Sequence, residues 1–147
     1  MDNLVRLVMF SEVAFPIATS SSEIESDLIG ILSQSRRANA QRGVTGVLYY
    51  GDGYFLHCME GEQAVITTVM NRMATDPRHH NLEVVMLEPI ERPSFSQWRM
   101  RFMRTDHTLR QVLQQHEMTS FQPYQFSLSL VQTLIDMAAQ PDYQRCA

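Results

Sequence analysis

Apolar positions along this chain fall into short runs and helical stripes separated by glycine, proline and serine. Their spacing predicts seven elements ahead of a C-terminal tail, in the order strand, helix, strand, strand, helix, strand, strand. Leu4 to Ser11 is apolar except for Arg6 and Ser11, the mark of a strand buried on both faces and central in its sheet. Ser20, Ser21 and Ser22, followed by Glu23 and Glu25, start a helix: hydroxyls cap its free amides and carboxylates meet its positive end. Ile24, Leu28, Ile31 and Leu32 carry its apolar face to about Ala38. Val44 to Tyr50 and Tyr54 to Met59 read as an antiparallel pair. They are joined by Gly51-Asp52-Gly53, in which the glycines are free to take positive φ.

Gly61-Glu62 leads into a second helix with Val65, Ile66, Val69, Met70 and Met73 on one face, stopped at Asp76-Pro77. Leu82 to Leu87 is the next strand. Gln97 to Met103 alternates Trp98, Met100 and Phe102 against Gln97, Arg99 and Arg101, the period of a half-buried strand. This order is an α+β, ferredoxin-like βαββαβ fold with an additional strand and two helices on one sheet face. Residues 1–105 form that domain. Residues 106–147 form a C-terminal helical extension, with a helix over Leu109 to Met118 and a stripe of Phe126, Leu130, Leu134 and Met137, which packs on the open sheet face or on a partner.

Composition narrows the function. With 147 residues, 44% hydrophobic and 19% charged, there is room for one core and little for a second. A net charge of -4 without a dense basic run argues against direct nucleic-acid or anionic-membrane binding. No run is apolar and long enough to span a bilayer, and nothing at the N-terminus reads as a secretory signal, so a cytoplasmic protein is expected. Cys58 and Cys146 form no metal spacing or disulfide framework, and Cys58 reads as a packed thiol. The ten methionines sit mostly in apolar periodic segments, where a flexible thioether fills irregular gaps.

Nucleophile elbows, phosphate loops, dinucleotide fingerprints and zinc-protease helices are all missing, and His79-His80 lacks the i,i+4 spacing of a helical metal pair. No enzyme is expected. Several pieces taken together do carry a signal: Leu4 to Ser11, Ser35 with Asn39, Val44-Thr45-Gly46, Tyr54-Phe55 with Glu60-Gly61, Asp76 with Arg78-His79, and Phe95 with Trp98 and Met100. In order and spacing they resemble the BLUF domain, the blue-light sensors using flavin, from about Leu4 to Phe102. The resemblance implies FAD between the two helices, with FMN or an empty pocket as alternatives. It also implies homo-oligomers and a regulatory protein partner.

By the same resemblance, Asn39 contacts the isoalloxazine edge with Ser35 one turn earlier, Arg78 and His79 meet ribityl or phosphate oxygens, and Trp98 and Met100 flank the pocket. Each has a plainer reading: Asn39 as a helix C-terminal residue, Arg78-His79 as a solvated loop, Trp98 and Met100 as core. Glu60-Gly61 reads as structural, the glutamate accepting local backbone amides. The family's photochemistry runs from a tyrosine on the first strand through a glutamine on the third. Those positions hold Met9 and His57 here. A thioether has no proton to give, and an imidazole cannot reproduce an amide's rotation and tautomerism. Tyr49, Tyr50, Tyr54 and Trp98 remain as redox donors.

Three readings follow. The first is a BLUF-like regulatory protein with the standard photocycle lost and output through protein association. The second is a photoreceptor with altered flavin chemistry, and the third a flavin-free interaction module.

Overall fold

Strand side chains alternate between the two faces of a single sheet, and each face is covered by a different pair of helices. The computed structural model describes residues 3–13, 21–76 and 79–141, with the backbone alone for 21–27 and 79. In chain order the elements are β1 (Leu4–Val13), α1 (Ser21–Arg42), β2 (Thr45–Gly51), β3 (Tyr54–Glu62), α2 (Gln63–Ala74) and β4 (His79–Pro89). They continue with β5 (Arg101–Arg104), α3 (His107–Gln115), a single 3-10 turn (Pro123–Gln125) and α4 (Leu128–Ala138). The sheet order is β4-β1-β3-β2-β5, antiparallel throughout except that β5 runs parallel to β2. This is the ferredoxin-like α+β arrangement with its additional strand.

On one face Val5, Leu7 and Met9 of β1, Leu48 of β2 and Phe55 and Met59 of β3 pack beneath Ile31 and Leu32 of α1 and Ile66 and Val69 of α2. On the other, Val8, Phe10, Tyr49, Leu56 and Cys58 pack beneath Leu109 and Leu113 of α3 and Leu130, Val131, Leu134 and Ile135 of α4. The C-terminal segment therefore lies on the face that α1 and α2 leave open. Asp106 starts α3 by accepting the Leu109 amide, and Ser127 starts α4 by accepting that of Leu130.

Boundaries differ from the sequence reading where local geometry decides. α1 runs to Arg42 rather than Ala38, and Gly43 ends it at φ +69°. In the β2–β3 turn the positive φ values belong to Asp52 and Gly53, as a type I′ turn requires. Gly51 is needed for a different reason: a Cβ there would run into Thr105 Oγ1 and Phe121 Cβ. β4 is longer than expected. β5 is shorter, because 97–100 is irregular and only Arg101–Arg104 pairs with β2. The proposed serine caps of α1 and Pro77 lie outside the residues or side chains described.

A buried ion pair ties β1 to β3. Arg6 and Glu60 are register partners, with Nη2 to Oε2 at 2.8 Å and the Glu60 side chain 1% exposed. The other oxygen, Oε1, accepts the amides of Ser94 at 2.6 Å and Phe95 at 3.2 Å, while Arg6 donates to Ser94 Oγ at 2.8 Å. Glu60 is thus a structural acceptor, but of amides far along the chain rather than local ones. Removing one partner of such a pair strands the other charge, so Glu60→Ala should lose about 3–5 kcal/mol in urea denaturation. An Arg6→Met/Glu60→Leu double variant should recover much of the Coulombic loss.

Tyr124 donates its hydroxyl to Asn81 O at 2.5 Å, with its ring edge-on to Phe10 and Tyr54. Burial first, then Glu12 and Glu83, push its phenol up to about 12. Because the folded value lies above the unfolded one, its stabilisation is complete below about pH 10 and is lost as pH rises through about 12. All twelve Lys+Arg positions are arginine, so lysine titration does not mask that window. Unfolding midpoints followed across it should fall less steeply in Tyr124→Phe, with a remainder from Tyr50, whose phenol is raised by burial and Asp52, and from the Cys58 thiol, raised by burial.

Candidate functional site

Between α1 and α2, above the sheet, lies a cleft of about 210 Å³. Its floor is Leu48, His57, Met59 and Met100, from β2, β3 and the segment before β5. One wall is the α1 stripe Ile31, Ser35, Ala38 and Arg42, spaced four, three and four residues apart so that all share a face, with Asn39 beside it. The other wall comes from α2 and its exit: Val69, Arg72, Met73 and Asp76.

His57 lies mid-sheet, its Cα partners being Met9 on β1 and Leu48 on β2. It is 4% exposed, and Met9 is fully buried beside it. The Ser11 hydroxyl stands 3.3 Å from His57 Nε2, a contact that suits either imidazole tautomer because a hydroxyl both donates and accepts. The rings of Tyr50, Phe55 and His57 follow one another at centroid distances of 5.4 and 5.5 Å.

Asn39 is buried in the last turn of α1. Its backbone carbonyl accepts the Val44 amide at 3.0 Å, the helix-terminal role open to it from sequence. Its side-chain nitrogen donates to Arg99 O at 2.5 Å, and Oδ1 is left as an acceptor on the cleft wall. Arg36 Nε donates to Met100 O at 3.0 Å. α1 therefore grips the segment that places Met100 in the floor.

Met100 and Trp98 do not share a face, contrary to the alternation expected of them. Met100 joins the helix-side core, whereas Trp98 packs with the α3/α4 side. The cause is the irregular backbone of 97–100, which breaks the two-residue period. Trp98 lies under the Arg101 guanidinium at 4.3 Å, and Arg101 Nη1 donates to Ala138 O at 2.7 Å and Gln140 O at 2.6 Å, closing the end of α4.

Of the other aromatic residues named as redox donors, Tyr49 donates to Leu134 O at 2.6 Å and Tyr54 packs on the far face, which leaves Tyr50 on the cleft side. Cys58, its thiol pushed up by burial, also belongs to the far face. Ser35 lines the α1 wall; His79 opens β4 as the Cα partner of Val13; Arg78 and Cys146 lie outside the described residues. Arg42, Arg72 and Asp76 were not among the residues chosen from sequence for the cleft. The helical spacing of Arg42 from Ser35 and of Arg72 from Val69 is the signal that finds the two cations.

The family model described as BLUF, sensors of blue-light using FAD, matches residues 4–101. Photoactivated adenylate cyclase subunit beta is 29% identical over 115 residues in Euglena gracilis and 30% over 115 in Euglena longa. Each alignment takes in 66% of this chain and 13% of the relative, so the chain spans a small part of those proteins. Among solved structures, BlrB, described as a BLUF protein in its dark state, superposes with a TM-score of 0.77 at 28% identity, covering 95% of this chain and 97% of that one. BlsA in its photo-activated state gives 0.84 at 24% identity over 97% and 99%, a likeness of fold. Among the described residues no helix is long and apolar enough to cross a membrane.

Replacing Arg101 by alanine removes two charge-assisted hydrogen bonds and uncovers Trp98. It should cost about 3 kcal/mol. Hydrogen exchange should show the loss first in amides at the end of α4.

Proposed function

This chain belongs to the BLUF family, and we propose that it keeps a flavin in the α1–α2 cleft while having lost the standard blue-light photocycle. The observation that carries this reading is the register pair Met9–His57. By the family resemblance these two residues take the positions of the tyrosine and glutamine; they face each other across adjacent strands, a thioether with no proton and a ring that cannot exchange donor for acceptor by rotation. The bound flavin would supply blue absorption and a redox-active ring.

The cleft fits such a group in kind. It has an apolar floor for a flat ring, the Asn39 and Ser35 polar groups along one wall, and the guanidinium groups of Arg42 and Arg72 at the rim, suited to phosphate oxygens. The family resemblance proposes Arg78 and His79 for the same phosphate or ribityl oxygens. At about 210 Å³ it lies below the ~300–1,000 Å³ of ordinary small-molecule sites, so the ring is the part it would enclose. FAD is the proposed cofactor, with FMN the alternative.

Output would run through protein association at the C-terminal helices, in a cytoplasmic homo-oligomer acting on a regulatory protein partner. Support comes from relatives named photoactivated adenylate cyclase subunit beta, a name that couples light sensing to an output activity in those proteins. Leu128 of α4 is 65% exposed, an apolar side chain available to a partner. A second reading, a photoreceptor with altered chemistry, is favoured by Tyr50, whose ring begins the row that ends at His57.

Absorption spectra before and after blue light test the proposal. The purified chain should show flavin bands without a reversible red shift, and the Met9→Tyr/His57→Gln double variant should gain that shift with dark recovery. A reversible shift in the unaltered protein would sink the loss of photocycle. A colourless protein that takes up no added FAD or FMN would sink the cofactor assignment.

A further inference from the structure

Among the described residues, His57 is the one titratable side chain on the floor of the cleft; Leu48, Met59 and Met100 around it are apolar. On β1, its neighbours are Met9 and the Ser11 hydroxyl, neither of which carries charge. Among the described residues, the charged groups lining the cleft are Arg42 from α1 and Arg72 and Asp76 from the α2 side, two cations against one anion. Arg36 and Arg99 lie nearby but are engaged with the backbone carbonyls of Met100 and Val44. The imidazole is 4% exposed on an otherwise apolar floor, where an anion formed in the cleft would be its counter-ion.

We infer that His57 makes this cleft a proton-coupled redox site, binding a proton when an isoalloxazine held there is reduced. The inference deepens the flavin reading and rests on it. The balance is simple. An oxidised isoalloxazine takes two electrons and one proton from a two-electron donor such as a dihydronicotinamide and becomes an anion. His57 takes a second proton from solvent and becomes an imidazolium beside it. Two electrons and two protons enter the site, and on reoxidation both protons leave. Arg42 and Arg72 favour the anion, and Asp76 favours the imidazolium. Met9, where a phenol would stand in the family, has no proton to compete. Such a site responds to the reducing state of its surroundings in the dark and uses the same cleft for it.

The test is spectroelectrochemical titration of the full chain loaded with FAD, in steps between about pH 7.5 and 8.5, a range in which an unperturbed imidazole is neutral. The midpoint potential should fall with pH twice as steeply in the wild-type protein as in free FAD above the pKa of its reduced form. His57→Gln should halve the wild-type slope. Ser11→Ala keeps the imidazole and should keep the steep slope, which separates the proton acceptor from general disturbance of the floor. Equal slopes in FAD-loaded wild type and free FAD would overturn this inference and leave the flavin reading standing. A chain that takes up neither FAD nor FMN would overturn both.

Discussion

Arg6 and Glu60 face each other on adjacent strands, and the route of the chain after β4 hangs from that carboxylate. One oxygen meets the guanidinium; the other holds two consecutive amides, of Ser94 and Phe95. Burying two charges costs several kcal/mol, recovered only if nearly every lone pair and proton is used. Here the carboxylate has no idle oxygen. With that loop fixed, Phe95 is seated in the core, Trp98 comes back toward the sheet to give its carbonyl to the Gly46 amide, and β5 enters beside β2. The floor of the cleft, which needs Met100, therefore depends on an ion pair on the opposite face of the sheet.

The segment from Trp98 to Arg101 is held from both sides. α1 takes the carbonyls of Arg99 and Met100 through Asn39 and Arg36, and Arg101 takes those of Ala138, the last residue of α4, and Gln140 just beyond it. One stretch of backbone thereby joins the helix layer that walls the cleft to the layer that covers the other face. The two faces are chemically unlike. One is a continuous apolar core rich in aromatic rings; the other carries a polar cleft with one imidazole on its floor.

Much of this was legible in the sequence. Two- and 3.6-residue periods placed β1 to β4, both sheet-facing helices and the C-terminal stripe, because those elements bury one face and the pattern records it. The cleft was partly legible: Ser35, Asn39, His57 and Met100 do line one space. What failed did so for identifiable reasons. The Trp98–Met100 alternation looked like a strand, but the backbone there obeys the Glu60 carboxylate and the α1 side chains rather than a ladder. The partners of Glu60 are 34 and 35 residues away, beyond any local rule. Arg42 and Arg72 look like ordinary solvated cations until the two helices are set side by side. Gly51 looked like a turn residue, yet its lack of a side chain serves the approach of Thr105 and Phe121 from the C-terminal segment.

The position of β1 in the sheet also has a consequence in time. Its neighbours are β3 and β4, both later in the chain, and its contact with β4 spans most of the distance from Leu4 to Pro89. Before β4 is available, the first strand can have only one edge paired. The β2–β3 hairpin, closed by Asp52-Gly53, is the one sheet contact that needs no distant segment, and hairpins form in about 1–10 μs, far faster than long-range pairing. Assembly should therefore begin at the centre of the sequence and recruit the N-terminus late, with the strand that carries Met9 docking onto a hairpin that already displays His57.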